Sequence, residues 1–193
     1  MGIDLCNMKN KVDKKWIVEI TVLSFLISVV FSFASSRMLD GAGYVMAFAV
    51  LAIFILVGIV FDMIGVAVTS ATEAPLHSMA SHREPGAAEA LDIVRNAEKV
   101  ASICNDVVGD ISGIISGTTA AVLAARLVAG FSFNAILVPL VLSGVVAGTT
   151  IGGKAAGKTF GMKHNTQIVL HVGRVLHFFH LSRGRNGGKR PRR

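Results

Sequence analysis

Four long apolar blocks are separated by short polar stretches and one longer polar loop. Trp16–Ala34 is apolar except for Glu19 near its start. Tyr44–Val68 contains a clean apolar run from Val45 to Phe61, which Asp62 ends. Val107–Val128 carries Asp110, and Phe133–Ile151 carries no charge. A helix needs about 20 mainly apolar residues to cross a bilayer, and each block meets or approaches that length. The last two blocks are rich in Gly, Ala, Ser and Thr, a composition found where membrane helices pack on one another. Gly109, Gly113 and Gly117 recur at four-residue spacing, as do Gly144, Gly148 and Gly152. Each set predicts a flat stripe for close packing, and either set also exposes backbone carbonyls. Pro139 predicts a kink in the fourth block.

The polar connections carry helical patterns of their own. In the loop 71–98, Pro85 stands at a helix start, Gly86–Arg95 reads as helix, and Asn96-Ala97-Glu98-Lys99 reads as a break and restart. In Asn165–Leu181 the apolar residues Ile168, Val169, Val172, Val175, Leu176 and Phe179 recur at helical spacing. That stretch is expected to lie along the membrane surface. Residues 1–15 form a basic leader, and residues 182–193 form a basic tail expected to be disordered. The predicted fold is all-α and polytopic.

Composition agrees. Of 193 residues, 52% are hydrophobic and 16% are charged, against about 25% charged in an ordinary soluble domain. A soluble globular enzyme and a disordered chain are both excluded by that balance. One Trp and one Tyr leave little aromatic surface for stacking on bases, so no nucleic-acid partner is expected. Cys6 and Cys104 are two free thiols and no disulfide framework.

The charge of +7 is unevenly placed. All but Arg37 and Arg126 of the 19 Lys and Arg fall in the leader, the middle loop and the C-terminal region. The positive-inside rule then puts both termini in the cytoplasm of a cell-membrane protein, with membrane lipid as its surroundings. One alternative concerns the start. The leader, the first block and Ser32-Phe33-Ala34 resemble a secretory signal peptide. Cleavage there leaves three spans and the same cytoplasmic C-terminus.

Charges inside a bilayer cost several kcal/mol, so acids within spans are functional candidates. Asp62, Asp106 and Asp110 fall at similar depth at the same end of spans two and three. Asp106 and Asp110 are four apart and are expected on one helix face. Thr69, Ser70, Ser102, Asn105, Ser112 and Ser116 add oxygen donors nearby. Carboxylates, hydroxyls and amides are the hard ligands that Mg²⁺ accepts. Two readings stay open: a cation site between helices, or acids favoured at a helix N-terminus near the headgroups. Glu19 reads as a snorkelling edge residue. His177 and His180 are three apart on the surface helix, where a wet helix face is the simpler reading. Gly152 to Gly157-Lys158-Thr159 matches the phosphate-loop pattern, but it ends a membrane span rather than following a strand. No nucleophile–base pair is visible, and no enzyme activity or cofactor is expected.

The order of these features resembles the transmembrane domain of the CNNM/CorC (CorB) magnesium transporters over roughly residues 45–181. The matching residues are Ala67-Val68-Thr69-Ser70, Gly86-Ala87-Ala88-Glu89-Ala90, Asn96-Ala97-Glu98-Lys99 and Gly153-Lys154-Ala155-Ala156-Gly157-Lys158-Thr159. The resemblance implies a three-span domain over 44–181 behind one added N-terminal span, a homodimer, and Mg²⁺ or Co²⁺ held between helices. Asp62 stands where the family has a serine, Gly65 where it has a glutamate, and Lys154 where its last span has another. Gly109-Asp110, or Asn105-Asp106 in a shifted register, stands at its G-N-N. The family's cytosolic CBS pair has no counterpart in these residues, which makes a CBS-containing membrane partner an expectation.

The expected ion ligands are therefore Asp62, Ser70, Asp110 and Ser112, with Lys154, Asp106 and Asn105 in one polar cluster. Mg²⁺ is the ion expected to be bound or transported. The second hypothesis is a degenerate membrane scaffold or regulatory subunit, in which the Lys154 ammonium fills the cation's place.

Overall fold

The protein is described here by a computed structural model covering residues 14–41, 43–131 and 134–184. The expectations for the leader before residue 14, for Cys6 and for the tail beyond residue 184 lie outside those residues, as does the His180 side chain.

The described residues are helical, with no strand among them. Helix α1 spans Lys14–Leu39, α2 Tyr44–Ser70, α3 Glu73–Ser81, α4 Ala87–Arg95 and α5 Ala97–Ser102. A π-helical turn, Ile103–Gly109, joins α5 to α6, Asp110–Phe131. Helices α7, Leu137–Lys163, and α8, Asn165–Gly184, complete the order. Four helical stretches are long and apolar enough to cross a membrane: Lys15–Leu39, Tyr44–Ser70, Ala97–Gly130 and Leu137–Lys163. Each satisfies its own backbone, as the hydrocarbon core requires. Large apolar side chains such as Phe25, Val45, Leu56, Leu140 and Ile151 remain exposed on the outside of the bundle. In water that surface would aggregate, whereas in lipid it is the expected face.

Helix α2 is the hub. It packs against α6, α7 and the π turn, and its last turns reach α4, α5 and α8. Val50 and Phe54 of α2 close on Val107, Ile111 and Ile115, with Ile20, Ile27 and Phe31 of α1 alongside. Toward the other end, Ala47 and Leu51 meet Ala120, Leu123, Val146 and Leu39. Helix α1 is the most peripheral. Ser35 shares a 3.2 Å hydroxyl contact with Thr119, and the Arg126 guanidinium donates to the Leu39 carbonyl at 2.9 Å.

Short helices cap the far end of α2. Ala67, Val68, Leu76, Ala90, Leu91, Ile93 and Val169 form one core there. Helices α4 and α8 cross where Gly86 meets Gly173. A Cβ on Gly173 would run into the Gly86 carbonyl and stand 2.9 Å from the Ala90 nitrogen. Gly86 itself has φ +86°, the left-handed backbone that starts α4. Arg174 pairs with Glu84 at 2.7 Å, and His177 with Glu89 at 2.5 Å, so His177 serves this crossing.

Several sequence expectations change. The fourth span runs over Leu137–Lys163, shifted along the chain from Phe133–Ile151. Pro139 then sits in the first turn of α7, where its missing N–H has no intrahelical acceptor to lose, and no kink follows. Helix α3 lies in the stretch 71–85, left unassigned by sequence. The loop helix begins at Ala87, breaks at Asn96 and restarts at Ala97, as the pattern predicts. In α8, Val169 is buried, but Val175 and Leu176 stay exposed.

The glycine stripes also move. Around Gly113, Gly117, Gly144, Gly148 and Gly152 there is open space for an added Cβ. The packed stripe is Gly153, Gly157 and Gly161. A Cβ at Gly153 would strike Ile59, one at Gly157 would touch Ile59 and Met63, and one at Gly161 would sit 2.8 Å from the Met63 carbonyl. This close approach of α7 to α2 sets up the site.

Candidate polar site between helices

Asp62 lies on α2, two turns before its end, and is 4% exposed. A carboxylate so buried among apolar helices is costly unless charges or donors compensate. Two lysines do so. Lys154 Nζ is 4.0 Å from Asp62 Oδ1, and Lys158 Nζ is 3.4 Å from Oδ2. Both come from α7, where they are four residues apart and so share a face. The glycines at 153, 157 and 161 bring that face close enough to α2 for the contacts. Neither ammonium makes a hydrogen bond with Oδ2, which is buried without a hydrogen-bond partner.

Lys154 has a second acid. Its Nζ is 3.8 Å from Asp110 Oδ1, at the start of α6. The two pairs differ in surroundings: the Asp62 side chain is 6% exposed and the Asp110 side chain 70%. Lys154 therefore bridges a buried acid to one that faces out of the bundle.

The π turn shapes the floor of the site. The extra residue per turn re-registers the chain between Ser102 and Asp110, and such turns recur at functional sites. Gly109 ends it and is buried. A Cβ placed on Gly109 would lie 3.3 Å from the Cys104 carbonyl oxygen, 3.7 Å from Lys154 Nζ and 4.0 Å from Asp62 Oδ1. The Cys104 carbonyl is the π turn's own backbone, so what meets over the missing side chain is the Asp62 carboxylate and the Lys154 ammonium.

Two more polar side chains line the same α2 seam. Asn105 packs on Gly65, where any Cβ would collide with its carboxamide, and Asn105 Oδ1 has no hydrogen-bond partner. The amide occupies the space opened by that glycine. Ser112 is fully buried one turn farther from the α8 end, opposite Gly58, and its Oγ is also unpartnered. The three unpartnered oxygens are Ser112 Oγ by Gly58, Asp62 Oδ2, and Asn105 Oδ1 by Gly65. They are spread along the seam rather than gathered around one point.

The remaining expected residues fall elsewhere. Asp106 is exposed and accepts a 2.6 Å hydrogen bond from the Ser102 hydroxyl. Asp110, four residues on, is also exposed, but of the two it is Asp110 that pairs with Lys154. Ser70 closes α2 two turns beyond Asp62, and its carbonyl accepts from Asn165 Nδ2 at 2.7 Å, which anchors α8. Among the described residues, no group of three or more His, Cys, Asp and Glu is placed to hold a metal ion. Lys158 was missed by sequence, although its four-residue spacing from Lys154 was the available signal. The whole Gly152–Thr159 stretch is helical, so it forms no phosphate loop.

Beyond Asp110 and Lys154, a cavity of 310 Å³ runs between α6 and α7. Gly113, Ser116, Gly117, Ser143 and Thr150 are among its lining residues. It starts one helical turn from the charged cluster and leads toward the middle of the spans.

Fold and cluster together define an all-α, multi-pass membrane protein with a charged cluster among its helices. No protein-family model, curated protein or solved structure matches the chain.

Proposed function

We propose that the chain is a CNNM/CorB-like protein that takes a divalent cation, Mg²⁺ or Co²⁺, into the seam between α2, the π turn and α7. Asp62 carries this reading: it is a carboxylate 4% exposed in a membrane helix, with one oxygen lacking any hydrogen bond. Asp110, joined to Asp62 through Lys154, is the other carboxylate near that point, and hard oxygen donors suit Mg²⁺. Ser112 lies a turn deeper and serves an ion further along the seam. The order of spans and short helices supports the resemblance. The membrane is the cytoplasmic one, with α3, α4 and α8 on the cytoplasmic side, by the distribution of Lys and Arg. The protein works as a homodimer or beside a CBS-containing membrane partner, and it makes or breaks no covalent bond.

One observation favours a second reading. Both Asp62 oxygens face lysine ammonium groups, which suits a non-transporting scaffold or regulatory subunit. Calorimetric Mg²⁺ titration separates the two. Saturable binding by the purified protein, lost on Asp62→Asn with Asp110→Asn, supports the cation reading. Binding that is absent, or unchanged in that variant, supports the scaffold.

A further inference from the structure

We propose that Lys154 is a tethered cation: its ammonium occupies the seat above Gly109 and must leave when a free divalent cation binds. The inference rests on the cation reading and adds a competitor within the chain. Lys154 Nζ stands 4.0 Å from Asp62 Oδ1 and 3.8 Å from Asp110 Oδ1, and 3.7 Å from the point where a Cβ on Gly109 would be. The Lys154 side chain is 21% exposed, against 50% for Lys158, so Lys154 is the inner of the two. A primary ammonium and a metal cation both seek carboxylate and carbonyl oxygens, but they repel each other at one seat. Binding is therefore an exchange. The metal gains Asp62 and Asp110, while Lys154 swings away from both acids and out of the seat. Lys158 stays beside Asp62 Oδ2 and keeps the carboxylate compensated while the seat is empty. The flexible four-carbon stem of lysine allows that movement.

The test uses the purified full chain in detergent and Mg²⁺ alone as probe. Lys154→Gln should bind Mg²⁺ about tenfold tighter or more, since a like charge is removed from beside the seat. Adding Asp62→Asn should abolish the gain. If the wild type binds in an Asp62-dependent way and Lys154→Gln binds no tighter, the tether is overturned and the cation reading survives. If only Lys154→Gln binds, no exchange takes place in the wild type: the tether and the cation reading are both overturned, and Lys154 is a fixed charge of the scaffold. If neither binds, both ideas fall. A second measurement needs no variant. Saturating Mg²⁺ should speed reductive methylation of Lys154, read by peptide mass spectrometry, because displacement frees the amine. Unchanged or slower labelling at a Mg²⁺ concentration that binds would overturn the exchange.

Discussion

Lys154 faces two acids, and the structure says which one matters more. Distance alone favours Asp110, at 3.8 Å against 4.0 Å for Asp62, a difference of about 5% in Coulomb energy. Burial favours Asp62 strongly, with side-chain exposures of 6% and 70%. At about 4 Å, a pair in an effective dielectric near 20 interacts by about 4 kcal/mol, and a pair in water by about 1 kcal/mol. Desolvation lowers the first figure, and Lys158 shares the Asp62 charge, which lowers it again. The expected Lys154–Asp62 coupling is then about 2–3 kcal/mol. The Lys154–Asp110 coupling should fall within the ~0–1 kcal/mol of exposed pairs. Two double-mutant cycles measure both, with Lys154→Met, Asp62→Asn and Asp110→Asn singly and in pairs. Unfolding in mixed micelles by SDS titration supplies the free energies. A coupling to Asp110 equal to or larger than that to Asp62 would refute the claim that burial decides this cluster.

Two further outcomes follow from the packing. Gly161→Ala should lose about 1–2 kcal/mol, because overpacking against the Met63 backbone outweighs the better helix propensity of alanine. Gly148→Ala, with open space around it, should be neutral or gain up to about 1 kcal/mol in the same unfolding assay; losses of equal size at both sites would mean that the α2–α7 register is wrong. Leu76→Ala, at a fully buried position in the core of the short helices, should cost about 2–5 kcal/mol and open the α3–α4–α8 cap to protease before the spans unfold.

The four spans were legible because bilayer thickness imposes a length and an apolar content on each. The break at Asn96 was legible as well, since the chain changes character there over three residues. Position along a helix was harder to read. The fourth span continues past Ile151 to Lys163 through a stretch of mostly Gly, Ala and Lys, whose lysines and glycines lower its hydropathy although Phe160 and Met162 lie within it. That shift moved Lys154 and Lys158 from a span end into a helix and placed both against Asp62. Gly144, Gly148 and Gly152 share the spacing of Gly153, Gly157 and Gly161, and spacing alone cannot tell which face meets a neighbour. The π turn left no compositional mark on Ile103–Gly109. Helix α3 had a faint signal in Thr72-Glu73-Ala74-Pro75, a polar start with proline in the first turn.

Asp62-dependent cation binding is the central claim, and one titration addresses it most directly. Mg²⁺ is titrated into the purified wild type and into Asp62→Asn/Asp110→Asn, both checked for intact folding by their unfolding midpoints. The expected result is saturable heat in the wild type and none in the folded double variant. Equal heats in the two proteins, or none in either, would contradict a cation seat at Asp62 and leave the lysine-filled scaffold as the description of this site.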